Sequence, residues 1–173
     1  MSTPAHDPRR RRLLGAGGGL LLAAALPWPA AGGEAIEIGM AGTSTGSAVW
    51  FRPRGLRISP GQAVRWVNHD AGNVHTATAY HPANGKPLRL PQDAKPWDSG
   101  YLLPGQSFTW VFDVPGVYDY FCLPHEHAGM VGRIVVEGAP AGRPYAGTDA
   151  QLPPVAVAGF PEVAAVLSQG RVD

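Results

Sequence analysis

The chemically reactive side chains of this chain concentrate between Cys122 and Met130, where a thiol, two imidazoles and a thioether lie within nine residues. The imidazoles belong to His125 and His127. Soft sulfur ligands combined with imidazole select copper over magnesium or calcium. Two histidines, one cysteine and a distant axial methionine form the geometry of electron-transfer copper sites. The spacing therefore predicts a copper site that needs one further histidine from elsewhere in the chain.

The segment from Asn68 to Thr76 contains two histidines, and His75 is placed to supply the missing ligand, with His69 as its rival. Taken alone, a cysteine or a methionine is usually a buried apolar residue. The joint spacing of these residues favours the metal site over that ordinary interpretation. Cys122 is the only cysteine in the chain, which excludes an internal disulfide and a Cys-rich zinc site.

The residues from Gly116 to Gly132 follow the pattern Gly-x-Tyr-x-Tyr-x-Cys-x-Pro-His-x4-Met-x-Gly. This pattern resembles the cupredoxin family, and specifically its plastocyanin and pseudoazurin branch, over about residues 35 to 137. The resemblance implies a cupredoxin-type Greek-key antiparallel β-sandwich, one type 1 (blue) copper ion and one-electron transfer. Carried over residue by residue, it implies the metal ligands His75, Cys122, His125 and Met130.

The resemblance also decides between the rival histidines. It favours His125 over His127, because a Cys-x4-His-x2-Met spacing matches no branch of the family. It favours His75, because the family places its first histidine just before a small polar residue that ties the two ligand loops together. Thr76 fills that place here, where plastocyanins usually have asparagine. We therefore expect the other loop histidines, His69, His81 and His127, to be solvated.

The elements that must position these residues are expected to be short strands. The 173 residues include 23 glycines and 18 prolines, which break helix interiors and argue against a helical bundle. Pro-Gly pairs predict turns, and apolar residues alternate between them. This pattern is typical of an all-β sandwich of about seven strands. The expected strands cover residues 36–40, 56–58, 64–68, 74–80, 108–112, 117–122 and 131–137.

Two segments do not fit the strand pattern. Residues 81–100 are interrupted by prolines, so we expect a long loop insert that carries a short irregular element. A tail rich in proline, glycine and alanine, residues 139–173, follows the predicted cupredoxin domain of residues 34–138. Within this tail, residues 161–169 predict one short helix, with a proline in its first turn and a glycine after its end. The tail is expected to dock on the domain or to fray.

Residues 1–33 are typical of a bacterial export signal. The arginine block Arg9–Arg12 precedes an apolar, glycine-rich stretch and then small residues that suit cleavage. The order resembles a twin-arginine signal, which carries folded proteins across the inner membrane. The alternative is an N-terminal membrane anchor that stays attached. Without this segment the chain has 10 Lys and Arg against 12 Asp and Glu, so no basic excess remains for binding nucleic acid.

Together these features predict an exported copper protein that carries single electrons between redox protein partners, in the periplasm or outside the cell. The alternative is a periplasmic protein that stores or delivers copper, a role that the spare histidines would suit. We do not expect an enzyme, because copper oxidases of this superfamily need further copper centres. We expect a monomer that binds no nucleic acid and meets a membrane only through an uncleaved signal.

Overall fold

The computed structural model describes residues 34–138 and 149–173. The predicted export signal, residues 1–33, and the start of the predicted tail, residues 139–148, lie outside the described residues. The described strands are β1 (Ile36–Gly42), β2 (Val49–Arg52), β3 (Gly55–Ile58), β4 (Gln62–Asn68), β5 (Thr78–Ala79), β6 (Ser107–Phe112), β7 (Gly116–Phe121), β8 (Val131–Val136) and β9 (Arg171–Val172). The α-helices are α1 (Pro154–Gly159) and α2 (Val163–Gln169), and no helix of the described residues is long and apolar enough to cross a membrane.

The strands form two sheets, ordered β2-β1-β4-β6 and β5-β7-β8-β3-β9, which confirms the predicted all-β sandwich. Five of the seven pairings between the described strands are antiparallel, as the resemblance implied, and two are parallel, so both sheets are mixed. β1 pairs parallel with β4, and β3 pairs parallel with β8. The reason is the path of the chain. After the β1–β2 hairpin it adds β3 to the second sheet and returns to the first as β4, which runs beside β1 in the same direction.

The strands that lead to the ligand loops differ in one place from the predicted ones. The strand expected over residues 74–80 is reduced to β5, because the backbone of His75 pairs with Leu102 in an isolated bridge. The Ala79 N–H likewise donates to the carbonyl of Trp97 at 3.0 Å. On this side of the segment, the loop that contains Trp97 and Leu102 therefore provides the hydrogen bonds that a neighbouring strand would provide. Strand β2 has four residues and no predicted counterpart.

Alternate side chains of both sheets point inward and pack an aromatic core. Trp66 of β4 is fully buried, and its ring centroid lies 5.4 Å from that of Tyr120 of β7. The insert of residues 81–100 contributes to this core, since Trp97 is buried and stacks on Trp66 at 5.8 Å. The insert also contains the expected short irregular element, a 3-10 helix over Pro82–Asn84. The insert is therefore an internal part of the sandwich.

Residues 149–173 pack against the second sheet. Helix α2 confirms the helix predicted over residues 161–169, and its buried Val166 packs in a cluster with Val135 of β8. Helix α1 and strand β9 have no predicted counterpart. Helix α1 contributes to a separate apolar cluster that contains Phe121 of β7, and β9 pairs antiparallel with β3. The described part of the tail is thus docked.

A buried ionic cluster joins the insert and the tail to the strands. Asp119 of β7 accepts hydrogen bonds from Arg89 of the insert and from Arg133 of β8, both at 2.7 Å. Arg89 also donates to Asp149, and Arg133 donates to the carbonyl of Pro161, again at 2.7 Å each. Buried charges need such partners, because an unpaired ion in the interior is strongly destabilising.

Replacing Trp97 with alanine should lower the free energy of unfolding by about 3–5 kcal/mol, because the truncation empties space between the sheets. Chemical denaturation followed by circular dichroism measures the loss. Val111→Thr is the control, since Val111 is exposed on β6 and its replacement should change the free energy by less than about 0.5 kcal/mol. A Trp97→Ala protein as stable as this control would show that Trp97 contributes nothing to the core.

Candidate metal centre

Backbone hydrogen bonds close the loop between β7 and β8. Just beyond the paired residues of these strands, the Cys122 N–H donates to the Met130 carbonyl at 3.0 Å. A 3-10 helix covers Leu123–Ala128, and the His125 carbonyl accepts from the Met130 N–H at 3.1 Å. The helix ends at Gly129, whose φ of 79° lies in the left-handed region that favours glycine. The loop, called the ligand loop below, thus carries three of the predicted ligands in one closed turn.

Three donor atoms converge where the ligand loop meets His75. The Cys122 Sγ lies 3.5 Å from Nδ1 of His75 and 3.4 Å from Nδ1 of His125. The ligating atoms of these residues all lie within 4.8 Å of one another, and residues 34–138 and 149–173 contain no other such group of three His, Cys, Asp or Glu side chains. His75 and Cys122 are fully buried, whereas His125 is partly exposed. The cluster therefore reaches the surface at His125.

His75 is held from two sides. Its backbone exchanges hydrogen bonds of 3.2 and 2.8 Å with Leu102, and its Nε2 lies 3.1 Å from Oδ2 of Asp70. Burial raises the pKa of Asp70, but hydrogen bonds from Asn73, Gly72 and His75 outweigh it and lower the pKa to about 2. An ionised carboxylate can only accept, so this contact is a hydrogen bond when Nε2 carries a proton, and Nδ1 is the ring nitrogen that faces the Cys122 sulfur.

Thr76 ties the loop of His75 to the ligand loop. Its backbone N–H donates to the Cys122 Sγ at 3.3 Å, and its Oγ1 accepts from the Leu123 N–H at 2.8 Å. The Thr78 hydroxyl donates to the same Thr76 oxygen at 2.9 Å. Threonine thus provides, through its hydroxyl, the tie that the resemblance implies for a small polar residue at this position.

Burial favours the neutral forms of the thiol and of the partly exposed imidazole. It raises the pKa of Cys122 to about 11, although hydrogen bonds with the backbones of Thr76 and His125 act in the opposite direction. Burial and the neighbouring His75 ring lower the pKa of His125. A neutral imidazole is the form that binds a metal ion, whereas a thiol must lose its proton to do so.

The remaining described histidines lie outside the cluster. Nε2 of His69 lies 2.8 Å from Oε1 of Glu37 on the surface, and Nδ1 of His81 accepts from the Ala83 N–H at 3.0 Å. His127 is exposed, although it shares the ligand loop. The structure therefore separates the predicted ligands from the histidines that compete with them in the sequence.

The donor set fits copper. One thiolate and two imidazoles are the strong ligands of electron-transfer copper sites, and a methionine thioether is their usual weak ligand. Met130, the fourth predicted ligand, is fully buried in the ligand loop. Hard cations such as magnesium and calcium prefer oxygen ligands instead, so sulfur and nitrogen donors argue against them.

The contacts of two buried acids beside the cluster escape prediction from the sequence. Asp70 contacts His75, and Glu126 of the ligand loop accepts from the Tyr80 hydroxyl at 2.9 Å and from the Lys86 ammonium group. Tyr80 and Lys86 precede Glu126 by 46 and 40 residues. No local pattern pairs residues at such separations, so only the fold reveals these contacts.

The sequence comparisons point to one family. The family described as "Copper binding proteins, plastocyanin/azurin family" matches residues 38–137. Chloroplastic plastocyanin of Tetradesmus obliquus is 38% identical over 96 residues, covering 56% of this chain but only 63% of that protein. Plastocyanin of Nostoc punctiforme is 37% identical over 117 residues, covering 64% of this chain and 79% of that protein. A solved pseudoazurin from Sinorhizobium meliloti is 29% identical, with a TM-score of 0.45 over 61% of this chain and 76% of that chain.

Replacing Thr76 with valine should lower the free energy of unfolding of the metal-free protein by about 1–3 kcal/mol, because the Leu123 N–H loses its acceptor. Thr76→Ser keeps the hydroxyl and is the control. Chemical denaturation measures the loss, and hydrogen exchange of the Leu123 amide locates it. If the Leu123 amide exchanges at the same rate in Thr76→Val and in the unmodified protein, Thr76 does not tie the two loops together.

Proposed function

Because the chain belongs to the copper-binding plastocyanin/azurin family, we propose that it is an electron carrier with one type 1 copper site formed by His75, Cys122, His125 and Met130. The observation that carries the proposal is the convergence of the Cys122 sulfur with Nδ1 of His75 and of His125. Redox proteins are the proposed partners, from which it accepts single electrons and to which it donates them.

The protein's own contribution is to hold the donor atoms still. Copper, when bound, supplies the one-electron chemistry by alternating between Cu(II) and Cu(I). His75 is fixed by its bridge to Leu102, and the ligand loop is closed by the hydrogen bond between Cys122 and Met130. Ligand atoms on short segments that are held by hydrogen bonds move little when the charge of the metal ion changes. Small movement keeps the barrier to electron transfer low.

Exposed apolar residues adjoin His125 in the ligand loop and follow the residue that pairs with His75. Leu123, 48% exposed, and Pro124, also exposed, precede His125 in the ligand loop. Leu103 is 53% exposed and follows the residue that pairs with His75. Exposed apolar side chains grouped in one place mark a protein contact surface. We therefore assign the surface formed by Leu103, Leu123, Pro124 and His125 to the docking of redox partners.

The carrier role is favoured over copper storage or delivery. The spare histidines would support delivery, but His69 is paired with Glu37 and His81 caps a 3-10 helix. Neither lies in the one cluster that the described residues place for a metal ion. We also propose that the protein is an electron carrier and not an enzyme, since the one donor cluster of the described residues fits a single copper ion of the electron-transfer type.

Export is proposed on the sequence of residues 1–33, whose arginine block and apolar stretch are typical of a twin-arginine signal. The signal would direct the folded protein to the periplasm or outside the cell. After its removal, the proposed carrier is a monomer that contacts neither nucleic acid nor membrane.

The copper-loaded protein should show an intense blue or green colour from thiolate-to-copper charge transfer, together with reversible one-electron chemistry. Visible spectroscopy and voltammetry measure both. Cys122→Ser should abolish the colour, since the sulfur ligand is removed. A colourless Cu(I) protein that passes its ion to a chelator would contradict the carrier and support copper delivery.

Paired histidine variants test the ligand assignment. His125→Ala and His75→Ala should lose the colour or change it strongly, because each removes an imidazole of the cluster. His127→Ala and His69→Ala are the matched controls and should keep the wild-type spectrum. If a control variant loses the colour while the matched ligand variant keeps it, the assignment of those two histidines is reversed.

Leu103→Lys should slow electron self-exchange between copies of the copper-loaded protein by about tenfold, because each encounter then brings like charges together at the docking surface. NMR line broadening in mixtures of the oxidised and reduced protein measures the rate. Val111→Lys is the control, since it makes the same change in net charge at an exposed site on β6. Equal rates in the two variants would place the docking surface elsewhere.

A further inference from the structure

A buried carboxylate contacts one of the proposed ligands. Asp70 is only 7% exposed, and its Oδ2 lies 3.1 Å from Nε2 of His75, whose side chain is fully buried. A buried charge is costly unless its surroundings compensate for it. The Asp70 carboxylate therefore needs the partners that surround it. It contacts the side of the His75 ring that faces away from the Cys122 sulfur.

A second carboxylate–imidazole pair serves as a comparison. Oε1 of Glu37 lies 2.8 Å from Nε2 of His69, but these side chains are 42% and 53% exposed. Water and salt screen the exposed pair, and His69 lies outside the donor cluster. Both pairs join a carboxylate oxygen to the Nε2 atom of a histidine. Only the Asp70–His75 pair is buried, and only its histidine belongs to the donor cluster.

The surroundings hold the Asp70 carboxylate in place. The Gly72 N–H donates to Oδ1 and the Asn73 amide donates to Oδ2, both at 2.9 Å. Gly42 of β1 leaves room for the carboxylate, since a Cβ at position 42 would lie 2.3 Å from Oδ2. These contacts fix the carboxylate independently of His75, so it can orient the ring.

Building on the proposed copper function, we propose that Asp70 is a positioning residue for His75. Its carboxylate accepts the Nε2 proton, directs Nδ1 toward the Cys122 sulfur, and adds a fixed negative charge that favours Cu(II) over Cu(I).

The physical basis has two parts. A carboxylate hydrogen-bonded to the outer nitrogen of a ligand imidazole fixes its tautomer and orientation and makes it a more basic ligand. A buried negative charge is weakly screened, and it stabilises the more highly charged oxidation state of a nearby ion. Asp70 exerts both effects through His75.

The positioning part is tested on the metal-free protein. Nitrogen-15 NMR of the His75 ring should show a proton on Nε2 and a free Nδ1. Asp70→Ala should shift the ring toward a mixture of the two tautomers, whereas Glu37→Gln should leave it unchanged. A proton on Nδ1 in the unmodified protein would overturn the proposal, even if the Asp70→Ala protein does not fold.

The charge part is tested by the reduction potential of the copper-loaded protein. Asp70→Asn keeps the shape of the side chain and removes its charge. The ratio of Cu(II) to Cu(I) at a fixed potential should fall about tenfold, which corresponds to a rise of about 59 mV in the reduction potential. Glu37→Gln removes the same charge from the exposed pair and should leave the potential unchanged. Equal potentials in Asp70→Asn and the unmodified protein, or equal shifts in both variants, would overturn this part.

Failure of the inference is distinguishable from failure of the proposed function. If the unmodified protein forms no copper–thiolate site, the electron-carrier proposal fails, while the NMR result still decides whether Asp70 positions His75. If the site forms and the Asp70 variants behave like Glu37→Gln, the role of Asp70 fails and the carrier proposal stands.

Discussion

Two hydrogen bonds of Thr76 bring the proposed copper ligands within reach of one another. One runs from its N–H to the Cys122 sulfur and the other from the Leu123 N–H to its hydroxyl. His75 and Cys122 are 47 residues apart, and nothing local in the chain joins them. The sandwich brings their loops to the same end, and Thr76 sets the spacing between them. The proposed copper site and its proposed electron transfer both require that spacing.

Buried charges connect the parts of the chain that lie outside the sheets to the ligand loop. Glu126 of this loop pairs with Lys86 of the insert, and Asp119 of β7 pairs with Arg89 of the insert. Arg89 in turn pairs with Asp149 of the tail. Because an unpaired buried ion is strongly destabilising, such contacts disfavour other arrangements of the same segments. The insert and the tail therefore support the strand and the loop that carry Cys122.

The features that the sequence predicts are those with a local signature. Cys122, His125 and Met130 lie in one loop, so their spacing is readable along the chain, and strands with two-residue alternation are readable in the same way. His75 is an intermediate case, since the resemblance to a family distinguishes it from His69. The parallel pairings, the entry of Trp97 into the core, helix α1 and the contact of Asp70 with His75 depend on partners that only the folded chain brings together.

The most direct test of the proposed site is a crystal structure of the copper-loaded protein. We predict one copper ion per chain, bonded to Nδ1 of His75 and His125 and to the sulfur of Cys122, with the Met130 thioether as a weaker ligand. Copper bound at His69, His81 or His127, with the Cys122 sulfur free of metal, would contradict the assignment.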